Sequence, residues 1–124
     1  MEFLLVFLGG GLGSAARHGA NLLAARWLGT QYPLGTLGIN VLGAFAMGAV
    51  VEYGAARSGL SPQARLFLTT GILGGFTTFS TFALEIGALQ LRGEIAASIL
   101  YALGSLVLGV AGLYAGMALV RALQ

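Results

Sequence analysis

Charge, proline and clusters of small polar residues punctuate this sequence into four apolar stretches, at about 3–27, 35–53, 62–91 and 94–121. Each approaches or exceeds the roughly 20 apolar residues that an α-helix needs to cross a bilayer. The turn Gly29-Thr30-Gln31-Tyr32-Pro33 separates the first two, and Glu52, Arg57 and Ser58-Gly59 mark a return to water after the second. Ser61 suits the N-cap of the third helix and Pro62 its first helical position. The connections are short, so consecutive helices are antiparallel neighbours in a single domain. The expected fold is an all-α integral membrane protein with four transmembrane helices.

Composition agrees on the solvent. With 57% hydrophobic and 8% charged residues, the chain has more apolar surface than one small soluble core can hide. Its 21 glycines follow no Gly-X-Y period and there are only two prolines, so they point to close approach of helices rather than to collagen or disorder. The absence of cysteine excludes disulfides and thiolate metal sites. Six arginines and four glutamates are scattered along the chain, which argues against a nucleic-acid patch. The segment Met1 to Leu8 looks like a signal peptide but carries Glu2 where a basic residue is expected, so it reads as the start of a mature helix. Arg57, Arg65 and Arg121 fall at one membrane face and Arg26 and Arg92 at the other, a weak bias that leaves both insertion orientations open. A bundle built of so many Gly and Ala residues has little interior of its own, which favours oligomerisation.

The most unusual stretch lies midway along the third span. Glycines 71, 74 and 75 precede Thr77, Thr78, Ser80 and Thr81, with Phe76, Phe79 and Phe82 interleaved. Such a sequence permits local unwinding, which at membrane depth is tolerated where protein or a wet cavity satisfies the freed backbone, and discontinuous helices recur at ion sites. A continuous helix whose small residues pack against a neighbour is the plainer alternative.

Polar residues in the other spans raise the same question. Asn40 sits mid-helix, and an amide in hydrocarbon needs either an interhelical partner or a permeating solute. Tyr101, Ser105 and Gly109 recur at a spacing of four and share a helical face. They form either a polar stripe or a packing seam that continues through Gly112 and Gly116. Arg17 lies too deep in the first span for an ordinary end anchor; it is a candidate for anion attraction, with snorkelling or a pairing with Glu85 as structural alternatives. His18 has no second His or Cys to complete a metal site. The glycine run at 9–13 lacks the lysine of a phosphate-binding loop, and no aspartate accompanies His18 for nucleophilic catalysis, so no enzyme is expected.

Taken together, Gly9-Gly10 through Arg17, Gly35-Thr36 with Asn40 and Gly43, and Gly71 with Gly74-Gly75-Phe76-Thr77-Thr78-Phe79-Ser80-Thr81-Phe82 resemble the Fluc/CrcB family of fluoride channels. The resemblance covers essentially the whole chain, and the Thr-Thr-Phe-Ser-Thr-Phe run is its most distinctive part. It implies a dual-topology antiparallel homodimer in a prokaryotic plasma membrane, with two fluoride pathways and a structural sodium ion at the centre of the interface. By the same resemblance, Phe79 and Phe82 would line the pathway with Ser80 and Thr81. Asn40 would donate to fluoride, Tyr101 and Ser105 would continue a polar track, and Gly74 and Thr77 would offer backbone carbonyls to sodium. Gly109 stands where relatives often carry a second serine, and His18 where a tyrosine is common.

The residue types suit that chemistry. Fluoride is a strongly hydrated acceptor, so a selective path must replace its water with donors such as Asn amide, Ser and Thr hydroxyls or Arg. A phenylalanine edge carries the positive side of the ring quadrupole and can meet an anion without holding it tightly. Carbonyls suit a cation, whose fixed charge offsets the cost of a nearby anion. The rival reading is a small proton-coupled multidrug exporter of similar length. Such exporters rely on a membrane-embedded glutamate in the first span, where this chain has Arg17 and no acid beyond Glu2.

Overall fold

The computed structural model describes residues 1–56 and 59–124. Arg57 and Ser58 lie outside the described residues, and with them part of the expected return to water and one arginine of the topology count. Among the described residues every regular element is helical. Helix α1 is Glu2–Leu28 and α2 is Leu34–Ala55. A third long segment comprises α3 (Pro62–Leu66), a π-helical stretch (Phe67–Leu73), α4 (Gly74–Phe76) and α5 (Ser80–Leu91). Helix α6 is Ile95–Leu123. Among the described residues, three segments are long and apolar enough to cross a membrane: Leu34–Ala55, Pro62–Leu91 and Ile95–Leu123. The chain is a multi-pass membrane protein.

Local chemistry explains the ends. Gly29 closes α1 at φ 77° and Gly93 turns the chain into α6 at φ 80°, both in the left-handed region that glycine enters without steric cost. The Ser61 hydroxyl accepts the Ala64 N–H at 3.1 Å, and Pro62 follows as the first residue of α3. At one end of the bundle Arg92 donates to the Gln31 carbonyl (2.7 Å) and to Glu94 (2.6 Å), while the Tyr32 hydroxyl donates to the same carboxylate. At the other end Arg121 pairs with Glu52 at 2.8 Å.

Two helix contacts build the bundle, and both depend on missing side chains. Helix α1 lies along the π-helical stretch: a Cβ on Gly9 would stand 2.8 Å from the Phe67 carbonyl oxygen, and one on Gly13 would overlap the Ile72 carbonyl. Helices α2 and α6 approach as closely, because Cβ atoms on Gly48 and Gly116 would overlap the carbonyls of Leu113 and Phe45. Backbone contact of this kind is how transmembrane helices associate where lipid removes the hydrophobic drive. The interior is correspondingly small. Ile39, Leu73, Leu89 and Tyr101 are its buried hydrophobic residues, whereas Phe3, Phe7, Leu100 and Leu106 face outward. Gly112 and Gly116 belong to the seam with α2, where Val41 and Phe45 meet them, while Tyr101, Ser105 and Gly109 serve elsewhere.

Candidate functional site

The third segment loses its helical path at Thr77, whose ψ of 158° is extended, and regains it at Ser80. What holds this break open is Asn40, facing it from α2. The Asn40 Nδ2 donates to the Thr78 carbonyl at 3.0 Å and its Oδ1 accepts the Thr78 N–H at 2.8 Å. Since a backbone N–H must meet an oxygen, the pair of bonds also fixes which way the amide points. Thr78 in turn uses its hydroxyl to accept the Thr81 N–H at 3.2 Å.

These substitutions free two particular carbonyls. In an unbroken α-helix each N–H bonds the carbonyl four residues back, so the Thr78 N–H would take Gly74 and the Thr81 N–H would take Thr77. Asn40 and the Thr78 hydroxyl have claimed those two donors. Among the described residues, no other backbone N–H outside the regular helices replaces them at Gly74 or Thr77. The carbonyls of Gly74 and Thr77 are therefore available as oxygen ligands at the break.

Beside the break runs a groove of about 750 Å³ between α2, α5 and α6. Asn40, Phe79, Phe82 and Ser105 line it together with Thr77 and Thr78. Asn40 has a second amide N–H beyond the one spent on Thr78. The Phe79 and Phe82 rings lie 5.8 Å apart, and Phe82 meets Tyr101 edge to face at 5.1 Å, so Tyr101 stands immediately behind the groove wall. Among the described residues, the buried hydroxyls of Tyr101 and Ser105 find no hydrogen-bond partner. A buried polar atom left unpaired costs on the order of 1–3 kcal/mol, so these two hydroxyls are poised for a ligand or water. Gly109 lines the groove one turn further along, where a Cβ would meet nothing within 4 Å.

Not every residue expected here joins this cluster. Ser80 and Thr81 open α5 but do not line the groove; Ser80 is exposed, and Thr81 contributes its backbone N–H. Gly74 still has helical dihedrals, φ −63° and ψ −38°, so the unwinding falls at 77–79, downstream of the glycines. Arg17 is half-buried in α1, away from the groove, and His18 is exposed. The pairing of Arg17 with Glu85 is not formed. Glu85 accepts instead from the Thr36 hydroxyl of the adjoining α2 at 2.6 Å. Thr36 and Glu85 line a second cavity, of about 260 Å³, under the turn between α1 and α2. The residues alone offer Glu85 only a pairing with Arg17 and do not link it to Thr36. The signal was an acid deep in the third span, whose other charged residue, Arg65, lies near its start, and membrane cost marks such an acid as functional by default.

Comparison with known proteins follows the same lines. A family model described as "CrcB-like protein, Camphor Resistance (CrcB)" matches residues 4–117. A protein of Nitrobacter hamburgensis named "Fluoride-specific ion channel FluC 2" is 53% identical over 121 residues, covering 98% of each chain. A "Fluoride-specific ion channel FluC" of Methylobacterium nodulans is 56% identical over 121 residues, 98% of this chain and 97% of its own. Another of that name, from Paracoccus denitrificans, is 53% identical over 123 residues, 98% of this chain and 95% of its own.

Proposed function

This chain belongs to the CrcB family, and on that premise we propose that it is a fluoride-selective channel giving passive export of fluoride across the plasma membrane. The observation that carries the reading is the groove at the helix break. There a second amide N–H of Asn40, the rings of Phe79 and Phe82 and the unpartnered hydroxyl of Ser105 come together, with the Tyr101 hydroxyl behind them. Donors replace the water of a small anion, and Phe79 and Phe82 keep the path otherwise apolar, which penalises an ion that cannot use the donors. Movement is downhill. An inside-negative potential favours exit of a monovalent anion by about 2.3 kcal/mol per 100 mV, with no coupled substrate.

Helix α1 completes a four-span bundle in this reading. Its 27 residues at about 1.5 Å each exceed the roughly 30 Å hydrocarbon thickness. The working unit is an antiparallel dual-topology homodimer in lipid. The groove is open along one side, and a second copy would close it. Support for a structural sodium ion comes from the carbonyls of Gly74 and Thr77, released by Asn40 and the Thr78 hydroxyl. Two carbonyls make half a coordination shell for a hard cation, and a second copy would supply the other half. When bound, the ion supplies fixed positive charge near the path. Arg17 is left as a source of anion attraction outside the groove.

Purified protein in potassium-loaded liposomes should release fluoride but not chloride once valinomycin permits charge balance. Equal chloride release would defeat the channel assignment. Phe82→Ile, which removes the ring edge, should slow fluoride release by about tenfold or more. A normal rate would remove Phe82 from the path.

A further inference from the structure

Helix α1 and the third segment run parallel, with Gly9 beside Phe67 and Gly13 beside Ile72, so the start of α1 stands next to the first turn of α3. A cavity of about 310 Å³ opens between them, with Glu2 on one side and Pro62, Arg65, Leu66 and Thr70 on the other. The Arg65 stem also reaches the end of α2, where a Cβ on Gly54 would stand 3.7 Å from its Cδ, and the Glu52–Arg121 pair lies at that same end of the bundle. Charged residues gathered at the ends of apolar spans mark the level of the lipid headgroups.

The lining is polar and carries both signs of charge. Glu2 and Arg65 are exposed, and among the described residues neither forms an ion pair. The cavity thus offers a carboxylate and a guanidinium that do not neutralise one another, and Gln63 and Thr70 add an amide and a hydroxyl. A net anion would meet Arg65 but be opposed by Glu2, and a net cation the reverse. One occupant satisfies both only if its own opposite charges lie a few bonds apart. We propose that this cavity holds the headgroup of a zwitterionic phospholipid with a primary ammonium, phosphatidylethanolamine, its phosphate on Arg65 and its ammonium on Glu2. A guanidinium presents a fork of donors to phosphate oxygens, and an ammonium brings three N–H donors to a carboxylate. The choline headgroup has the same charges but no N–H to donate, so it fits Arg65 and not Glu2. The site lies outside the groove and does not depend on what permeates.

Lipid binding is therefore measured directly. Purified protein in detergent is titrated with dioleoyl phosphatidylethanolamine, phosphatidylcholine or phosphatidylglycerol, and bound lipid is counted by native mass spectrometry. Affinity for the ethanolamine lipid should exceed that for either of the others about fivefold or more. Glu2→Gln should bring the ethanolamine lipid within about twofold of the choline lipid, and should raise affinity for the glycerol lipid by removing the opposing acid. Arg65→Gln should weaken the ethanolamine and choline lipids alike. Arg26→Gln, exposed at the far end of α1 and outside the cavity, should leave the pattern unchanged. Equal affinities in the wild type would overturn the site, as would a preference for ethanolamine that survives both Glu2→Gln and Arg65→Gln. So would displacement of the lipid by an equal concentration of glycerophosphoethanolamine, the same headgroup without acyl chains, since the ligand would then be a soluble one. If one variant fails to fold, the other decides.

Discussion

Asn40 and Thr78 are joined by a reciprocal pair of hydrogen bonds, the side-chain amide of one taking the place of a helical turn for the backbone of the other. A single residue on α2, itself on the groove wall, thereby fixes where the third segment unwinds and keeps a second amide N–H unspent. Structure and the proposed permeation path converge on the same side chain.

Asn40→Ala removes both bonds and strands a backbone N–H and a carbonyl in the bundle, at on the order of 1–3 kcal/mol each if unpaired. Fluoride release should fall at least tenfold, and the melting temperature in detergent should drop as well. Asn40→Asp keeps the acceptor for the Thr78 N–H but cannot donate to the Thr78 carbonyl while ionised. It should therefore melt above the alanine variant yet conduct no better. A melting temperature unchanged in Asn40→Ala would mean that the clamp does not hold the break.

Gly43 faces the same break from one turn further along α2, and a Cβ there would overlap the Thr77 Cγ2 methyl. Gly43→Ala should cost about 1–3 kcal/mol by overpacking. Thr77→Ser deletes that methyl while keeping the hydroxyl that donates to the Leu73 carbonyl at 3.0 Å. The double variant should thus recover most of the loss. Additive losses in a double-mutant cycle would show that the two residues are not in conflict.

Much of this was legible in the residues before any coordinates. The apolar stretches located the long helices to within a few residues, because charge and proline punctuate them. Ser61 and Gly29 announced their ends by capping chemistry. The stretch that holds the break is legible in its glycines, hydroxyls and phenylalanines, but the exact place is not: the helix is interrupted at 77–79, with Thr77 extended, where Asn40 can reach it. That partner belongs to another helix, and propensity carries no information about it. Glu85 follows the same logic: a pairing with Arg17 is one alternative that the residues leave open, but α5 faces α2 at that level, and the Thr36 hydroxyl is what Glu85 meets. The residues alone leave the Tyr101, Ser105 and Gly109 face open between pore and seam, and packing puts Ser105 and Gly109 on the groove and Gly112 and Gly116 in the seam with α2.

That division of α6 predicts opposite outcomes for two of its glycines. A Cβ on Gly116 would overlap the Phe45 carbonyl, a backbone atom that cannot swing aside, so Gly116→Ala should lower stability by about 1–3 kcal/mol. Gly109 has open space on the groove side. Gly109→Ser should be tolerated within about 0.5 kcal/mol and would add a hydroxyl to the line begun by Tyr101 and Ser105. Thermal melts of the two variants, measured side by side, decide it. A destabilised Gly109→Ser would place that glycine in the seam instead.

Thr78→Val tests the proposed sodium site without touching a ligand. Valine keeps the buried shape but has no hydroxyl to accept the Thr81 N–H, which is then free to bond the Thr77 carbonyl as in a regular helix. One of the two freed oxygens would be reclaimed and the affinity for sodium should fall. A bound ion stabilises the folded protein by about 2.7 kcal/mol when its concentration is 100 times the dissociation constant, so the affinity can be read from melting temperature against sodium concentration. The wild-type curve should rise with sodium replacing N-methyl-D-glucamine at constant ionic strength, and the Thr78→Val curve should be displaced to higher sodium. A wild-type melting temperature indifferent to sodium would count against the ion. Coincident, rising curves would keep the ion but not its dependence on the Thr78 hydroxyl.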